Sequence, residues 1–588
     1  MKLNLKKPVL LLGLLTGSIL PTVTAQGFLH AEGQRIVNEK GDNVLLRGIG
    51  LGGWMLQEGY MLKINKEAQQ YRIRERITEL TSAKQAKEFY DQWLANHTRK
   101  ADIDSLKAWG FNSVRLPMHY DLYTLAVDKE PVAGKNTWLK KGFAMTDSLL
   151  AWCKANEMYL ILDLHAAPGG QGNDLNIADR DPSKPSLWDS EANQQKTIAL
   201  WKKLAERYKN EPWIGAYDLI NEPNWGFENL AEDKNGLKEQ KNAPLQQLMI
   251  EITKVIRTVD QKHMIIIEGN GWGNNYNGIT PNWDKNMALS FHKYWNYNDQ
   301  ASVAHILKMR EQYNMPAWLG ETGENSNVWF TDAIRLLEKN NIGWSWWPLK
   351  KLGFNNPAEI KSNPRYDAIA DYMNGKGEKP AAADAYKGLM ELAAAATIEN
   401  TVIHKDVIDA MIRQPFSAAT LPFKKHVILK NTTIQAVDYD LGISGAAYSD
   451  KDSADYHVVT GKATPGNKGR IYRNDGVDIN KDPELPGAYY VNSIETGEWL
   501  QYTVDITASG VYNLKLATAA AEEGGMVSLT VNGTKIGKAV AVPVTGGPAQ
   551  FKETAFKNVI LAKGIQVIRI YADRGEFTLS SLQFTIAD

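Results

Sequence analysis

The sequence predicts an α/β fold, a (β/α)8 TIM barrel, followed by a C-terminal all-β sandwich of jelly-roll type. Two observations carry this. Over about 330 residues, short apolar runs alternate eight times with stretches of helical periodicity, the pattern of parallel strands each returned by a helix. From about Thr432 onward the helical periodicity stops, and alternating segments such as Trp499–Val504, Tyr512–Leu516 and Gln566–Tyr571 are separated by glycine-rich turns.

The chain has 588 residues, 43% of them hydrophobic, which is enough for two or three cores and too apolar for a disordered or fibrous chain. Residues 1–25 read as a secretory signal. Lys2, Lys6 and Lys7 precede the apolar Val9 to Leu15, and Val23-Thr24-Ala25 offers small residues for cleavage before Gln26. Gly13, Gly17 and Pro21 interrupt this segment, so it is too short for a lasting membrane span, and no later stretch qualifies. The expected product is secreted, whether periplasmic, cell-surface or extracellular. Removing the signal takes three lysines and no acid, leaving 64 basic against 67 acidic side chains. Such a balance gives no electrostatic case for nucleic acid or an anionic membrane as a partner. Cys153 stands on an apolar helical pattern without a second cysteine and reads as a buried structural thiol.

In chain order, Arg35 to Val44 reads as a hairpin turning at Gly41-Asp42 and leading into the first barrel strand, Leu45–Gly50. The remaining strands are Ser113–Leu116, Tyr159–Leu164, Ala216–Ile220, Met264–Glu268, Ala288–Phe291, Ala317–Glu321 and Ile342–Trp347. Helical spacing fills Asp102–Trp109, Thr146–Asn156, Gln194–Tyr208, Leu245–Val259, Ser302–Tyr313 and Phe330–Lys339. A doubly wound open sheet is the competing architecture, but no glycine-rich phosphate fingerprint follows the first strand. The composition loosens over Gly375 to Pro380, and helical spacing resumes from Ala381 to Arg413 before Pro415 ends it. The expected division is a signal at 1–25, the barrel at 26–375, a helical extension packed on it at 376–430, and the sandwich at 431–588.

The polar residues of interest gather at strand ends: Arg115, His119, His165, Asn221, Glu222, His292, Tyr294 and Glu321, with Trp347. Barrel chemistry sits at that end of the strands. Glu222 lies in Asn221-Glu-Pro223 after the apolar run Gly215–Ile220, and Glu321 closes Ala317-Trp-Leu-Gly320. Two acids so placed suit glycosidic bond hydrolysis, where one protonates the leaving oxygen and the other stabilises the positive anomeric carbon. Asn-Glu-Pro by itself also reads as a plain strand-terminating turn, and the second carboxylate is what gives it chemical weight. Eighteen Trp and twenty-four Tyr supply rings on which sugar C–H faces stack. Asp163-x-His165 has no companion set at ligand spacing, so neither a metal site nor a cofactor is expected.

Six motifs in order, Leu46-Arg-Gly-Ile-Gly-Leu-Gly-Gly-Trp54, Val114-Arg-Leu-Pro117, Asp163-Leu-His-Ala-Ala-Pro-Gly169, Asn221-Glu-Pro223, Phe291-His-Lys-Tyr294 and Gly320-Glu321, resemble glycoside hydrolase family 5. The resemblance spans residues 28 to 375. It implies Glu222 as general acid/base and Glu321 as nucleophile, with Arg115 keeping that nucleophile ionised. It further implies Asn221 on the sugar 2-hydroxyl, Tyr294 orienting the nucleophile, and His165 and His292 as substrate or supporting ligands. Trp347, rather than its neighbours Trp344 and Trp346, is the expected floor of the cleaved sugar's subsite. Leu51 to Glu58, with His165 to Gln171, is closer to the family's exo-acting β-1,3-glucanase branch, which implies that Glu58 meets the terminal glucose. Thr322-Gly-Glu-Asn-Ser326 departs from that branch and leaves linkage open.

The tail, through Ile434–Tyr439, Tyr472–Ile479, Gly497–Tyr502 and Phe577–Phe584, resembles carbohydrate-binding module family 6. It departs from that family where Gln435 and Val437 replace acids of its calcium site, Pro548 a sugar-stacking Trp, and Ser580 an Asn. Those departures argue against calcium and leave Tyr472 as the candidate sugar contact. The expected function is a secreted retaining glycoside hydrolase, exo-acting on a β-glucan or related oligosaccharide. The alternatives are a non-catalytic carbohydrate-binding protein of the same fold and an endo-acting cellulase or mannanase.

Overall fold

The computed structural model describes residues 27–452, 454, 456–457, 462–463 and 470–587. The signal segment at 1–25 lies outside them. Eight parallel strands close a barrel: β1 (Arg47–Gly50), β2 (Ser113–His119), β3 (Tyr159–Ala166), β4 (Ile214–Asp218), β5 (Met264–Glu268), β6 (Met287–Lys293), β7 (Ala317–Gly323) and β8 (Gly343–Trp347). Every residue of β2, β3, β6 and β7 is buried. This is why runs such as Tyr-Leu-Ile-Leu in β3 are continuously apolar: a parallel strand has side chains against the barrel interior on one face and helices on the other.

The outer helices are α1 (Gln70–Leu80), α2 (Ala83–His97), α3 (Lys100–Trp109), α4 (Lys140–Ala155), α5 (Glu191–Tyr208), α6 (Ala243–Arg257), α7 (Ala304–Tyr313) and α8 (Asn327–Lys339). The pair α1 and α2, which the periodicity reading does not include, stands between β1 and α3. Ser82, Ser190 and Ser326 cap α2, α5 and α8 by accepting the backbone N–H of Gln85, Asn193 and Trp329, satisfying donors that a helix start leaves open.

Two expectations are corrected at element level. The laddered hairpin pairs His30–Glu32 with Arg35–Val37, one turn earlier than predicted. The chain does turn again at Gly41, where Val44 N–H donates to Ile36 O at 2.8 Å, but only a single bridge, Val37 to Asn43, forms there. The stretch 381–413 is not one helix either. After α9 (Pro364–Met373) come α10 (Ala382–Ala395) and α11 (Lys405–Ile412), separated by Val402–Ile403, which pairs with Ala358–Glu359. The separating Thr397-Ile-Glu-Asn-Thr-Val-Ile403 is rich in β-branched residues that lose side-chain freedom in a helix and suit a strand.

This extension packs on the barrel's outer ring. Tyr386 Oη donates to Glu88 of α2 at 2.8 Å, and Thr331 Oγ1 of α8 donates to Ala410 O of α11 at 2.9 Å. Beyond it lie two facing sheets. One orders His426–Ile428, Trp499–Ile506, Gly564–Arg574, Met526–Val531 and Thr534–Ala541. The other orders Ile479–Lys481, Tyr489–Ile494, Phe577–Ile586, Gly510–Ala519 and Lys552–Leu561. Their inner faces form a core of their own, with Leu516, Leu529, Leu582 and Phe584 fully buried. Among the described residues no helix is long and apolar enough to cross a membrane.

Candidate active site

Glu222 stands four residues beyond β4 with φ +43°, a left-handed conformation costly for a side chain with a Cβ. Glu268, the last residue of β5, holds it there: its Oε2 accepts the Glu222 N–H at 2.7 Å. Glu321 lies within β7, and its two oxygens have separate partners. Arg115 Nη1 donates to Oε2 at 2.8 Å, and Tyr294 Oη donates to Oε1 at 2.7 Å. One oxygen of Glu222, one of Glu321 and a ring nitrogen of His292 lie within 4.8 Å of one another. Both glutamates are 5% exposed, so each carboxyl is largely withdrawn from solvent.

Arg115 is the electrostatic hub. Fully buried, it reaches Asp218 Oδ2 at 2.9 Å, Glu268 Oε1 at 3.0 Å, Asp163 Oδ2 at 3.3 Å and Asn221 Oδ1 at 2.8 Å besides Glu321. A single guanidinium cannot offset four buried carboxylates, and the surplus shows at Asp218. Burial, then the charge of Glu268, pushes Asp218 well above the usual carboxylate range against the pull of Arg115. Glu268 goes the other way: His292, Arg115 and the Glu222 N–H outweigh its burial and lower it.

Glu222 is raised, first by burial and then by the nearby charge of Glu321, against the hydrogen bond from His292. His292 Nδ1 lies 2.6 Å from Glu222 Oε1, and its Nε2 lies 3.2 Å from Glu268 without hydrogen-bond alignment. Burial alone would discharge His292; the carboxylates of Glu268 and Glu321 reverse that and raise it well above the ordinary value.

The third group surrounds His165. Its Nδ1 is 2.7 Å from Asp163 Oδ2, its Nε2 is 3.5 Å from Glu58 Oε1, and Asn221 Nδ2 lies 3.2 Å from that same Nε2. Although burial opposes it, Asp163 lifts His165 to about 10. Burial lifts Glu58 to about 7, partly offset by His165. The His165 ring stacks on Trp347 at 5.0 Å and 9°. Trp347 packs against β1 so closely that a Cβ on Gly50 or Gly52 would meet its ring at 2.5 Å and 2.7 Å, which is why both positions are glycine. Trp344 and Trp346 are fully buried elsewhere: Trp344 Nε1 donates to Glu338 of α8, and Trp346 packs on Trp329 and Phe330.

The structure therefore brings Glu222, Glu321, Arg115, His165, Asn221, His292, Tyr294, Trp347 and Glu58 to one mouth. His119 is not part of the cluster; it pairs with Asp179 at 2.9 Å and Asp121 at 2.8 Å beside a separate cavity of about 590 Å³. Sequence reasoning left out Asp218, Glu268, Tyr60 and Gln171. Glu268 ends an apolar run just as Glu321 does, so the same signal would have found it. Tyr60, whose Oη accepts Trp347 Nε1 at 2.9 Å, and Gln171, whose Nε2 donates to both His165 O and Asn221 O, sit in loops with no comparable pattern.

In the sandwich, the Tyr472 ring lies tilted against Tyr489 at 4.7 Å and Phe423 at 5.7 Å, and its hydroxyl is shared by Asp438 and Lys424. Val437 is fully buried and apolar and Gln435 is uncharged, so these two positions do not fit the acids of a family 6 calcium site.

A barrel whose strand ends carry two carboxylates at this spacing, one of them with its proton affinity raised, defines an O-glycosyl hydrolase. Residues 73–353 match the family model "Cellulase (glycosyl hydrolase family 5)", and residues 470–586 match "Carbohydrate binding module (family 6)". The barrel is a glycosyl hydrolase family 5 domain, and the sandwich carries a family 6 module. Among curated relatives, a β-xylosidase of Phanerodontia chrysosporium is 25% identical over 59% of this chain and 76% of its own. Endoglucanase C of Acetivibrio thermocellus is 28% identical over 56% of this chain and 96% of its own. A glucan 1,3-β-glucosidase of Candida oleophila is 26% identical over 31% and 43%. The solved β-glucanase SdGluc5_26A of Saccharophagus degradans aligns at 15% identity and TM-score 0.38, over 63% of this chain and 95% of its own.

Proposed function

We propose that this protein is a secreted retaining glycoside hydrolase that cleaves β-glucosidic bonds of a β-glucan by double displacement, working from a chain end. The observation that carries the reading is the approach of Glu222 and Glu321 oxygens to within 4.8 Å. Retaining enzymes hold their carboxyl groups about 5–5.5 Å apart, whereas inverting ones need about 6.5–9.5 Å to fit a water between.

The partners of each acid support the division of labour. Glu321, held by Arg115 and Tyr294, attacks the anomeric carbon while Glu222, kept protonated by burial and by the Glu321 charge, gives its proton to the leaving oxygen. Glu222 then takes a proton from water as that water displaces Glu321. Asn221, fixed by Arg115 and His165, is positioned for the sugar 2-hydroxyl, and Trp347 for the ring face. Glu58 and Tyr60, beside His165 and Trp347, support a closed end to the site and hence release of single sugars. The names of the relatives, which include both endoglucanases and glucan 1,3-β-glucosidases, support a β-glucan as substrate.

Proton NMR of the first product tests the mechanism. A β-configured hemiacetal formed before mutarotation is expected, and an α-configured first product defeats the proposal. Product length on a polysaccharide panel tests the mode: monosaccharide in the first minutes is expected, and mixed oligomers would make the enzyme endo-acting. Secretion is checked by amino-terminal sequencing of the mature protein, expected to begin at Gln26.

A further inference from the structure

Three parts of the chain meet behind the nucleophile's loop. The barrel contributes Asn325, Ser326 and Asn327, which lead from β7 into α8; the helical extension contributes Asp406 on α11; the family 6 module contributes Arg473 and Asn474. Asn327 N–H donates to Asn474 O at 2.7 Å, and Asn474 Nδ2 donates to Asn325 O at 2.9 Å and to Asn327 Oδ1 at 3.2 Å. Asp406 Oδ2 accepts from both sides of the seam, from Asn327 Nδ2 at 2.8 Å and from Asn474 N–H at 2.8 Å. Ser326 Oγ reaches across as well, donating to Ala454 O.

Asn474 is 5% exposed and Arg473 is 1% exposed, with the guanidinium 3.9 Å from the Tyr439 ring and 4.6 Å from that of Phe423. Buried polar groups with this many mutual partners fix one geometry, and their cost when unmade is high. A module that only tethered substrate through a flexible linker would need none of these bonds.

What the junction holds is short. Between Glu321 and Asn325 lie Thr322, Gly323 and Glu324, and Glu324 sits at φ +53°, a strained conformation kept by its surroundings. The Glu324 carboxylate pairs with Lys351, whose ammonium lies 5.7 Å from the centre of the Tyr60 ring. Tyr60 in turn accepts from Trp347 at the sugar floor. Gly323 is pressed against the same residue, since a Cβ there would meet Trp347 O at 2.3 Å.

We propose that Asn474 of the module is a positioning residue for the hydrolase reaction, holding the loop that places Glu324 beside Lys351 and Tyr60 at the mouth. The family 6 module then serves catalysis as a structural wall of the barrel's own site, whatever it does for polysaccharide. The proposal rests on the reading of Glu321 as nucleophile and of this mouth as the sugar site.

The test uses the full chain and an aryl β-glucoside, a substrate too small to be tethered by the module. Asn474→Ala is expected to lower kcat/KM on it about tenfold, and Asn474→Ser, which keeps the backbone bonds and a hydroxyl, is expected to recover part of that loss. Ile560→Ser, at an exposed position of the module that makes none of these bonds, is expected to leave this turnover unchanged. Glu324→Gln is expected to lower kcat/KM as well, and the double variant with Asn474→Ala to fall no further than Glu324→Gln alone.

Wild-type kinetics in Asn474→Ala, or losses that multiply in the double variant, would overturn the proposal. Should Asn474→Ala lose its cooperative thermal transition, the Ser variant alone decides, by the same two criteria. Stereochemistry of the wild-type product judges the double-displacement reading separately, so either idea can fail without the other.

Discussion

Arg115 Nη1 and Glu321 Oε2 are 2.8 Å apart, and the same guanidinium, fully buried, also contacts Asp163, Asp218 and Glu268. One guanidinium reaching four carboxylates, with His165 and His292 as the other cationic neighbours, concentrates the buried charge of this site around a single residue.

Replacing that residue should therefore damage the fold as well as the chemistry. Arg115→Met leaves buried acids without their partner, a change worth about 3–5 kcal/mol when a buried pair is broken. Chemical denaturation of the variant is expected to show a loss of that order together with near-absent turnover. A stability within about 1 kcal/mol of wild type would mean that the acids simply take up protons at little cost.

Tyr294→Phe removes one hydrogen bond to a carboxyl oxygen of Glu321, a bond made at 2.7 Å. Bonds to charged groups contribute about 1.5–3 kcal/mol, so kcat is expected to fall about 10- to 100-fold with little change in fold stability. Steady-state kinetics with thermal unfolding on the same preparation checks both halves.

The acid/base sets the alkaline side of the pH profile. Because burial and the Glu321 charge raise Glu222, it keeps its proton above the ordinary carboxylate range, and activity should fall as pH rises through that raised value. Esterifying Glu321 with a slow 2-fluoro-glycoside removes one of the two causes. The Glu222 titration, followed by carboxyl-carbon NMR, should then move down; an unchanged value would leave burial as the whole cause.

Glu58 titrates at about 7, with burial raising it and His165 holding it back. Below that pH it can donate to a sugar hydroxyl, and above it can only accept. The kcat/KM profile is expected to carry an inflection near pH 7 that disappears in Glu58→Gln. Persistence of the inflection in that variant would assign it to another group.

At the domain seam, Asp406→Ala strips an acceptor from Asn327 Nδ2 and Asn474 N–H at once. Each buried donor left open costs about 1–3 kcal/mol, so the thermal transition is expected to drop by several degrees and the two domains to unfold less cooperatively. Calorimetry of the full chain checks this; an unchanged single transition would show that the seam relaxes freely.

Much of this molecule is legible in the chain itself. The eight strand positions follow from apolar runs that a two-sided parallel sheet demands, and Glu222, Glu321 and Arg115 are visible because a charge ending or interrupting such a run has few structural uses. The same reasoning passes over Asp218 and Glu268, although Glu268 closes Met264-Ile-Ile-Ile in the same way. The helices α1 and α2, Tyr60 and Gln171 lie where no period or turn signal points inward.

What sequence by itself determined is the order of elements, the register of buried runs and the pair of acids, because burial and backbone periodicity act locally along the chain. Only the tertiary structure decided how far apart those acids sit, that burial and a neighbouring charge raise the proton affinity of Glu222, and that the module is bonded to the loop behind Glu321. Those properties depend on distances between residues about a hundred or more positions apart, as between Arg115 and Glu321 or Asn325 and Asn474, and on the water excluded between them, neither of which is written in any local pattern.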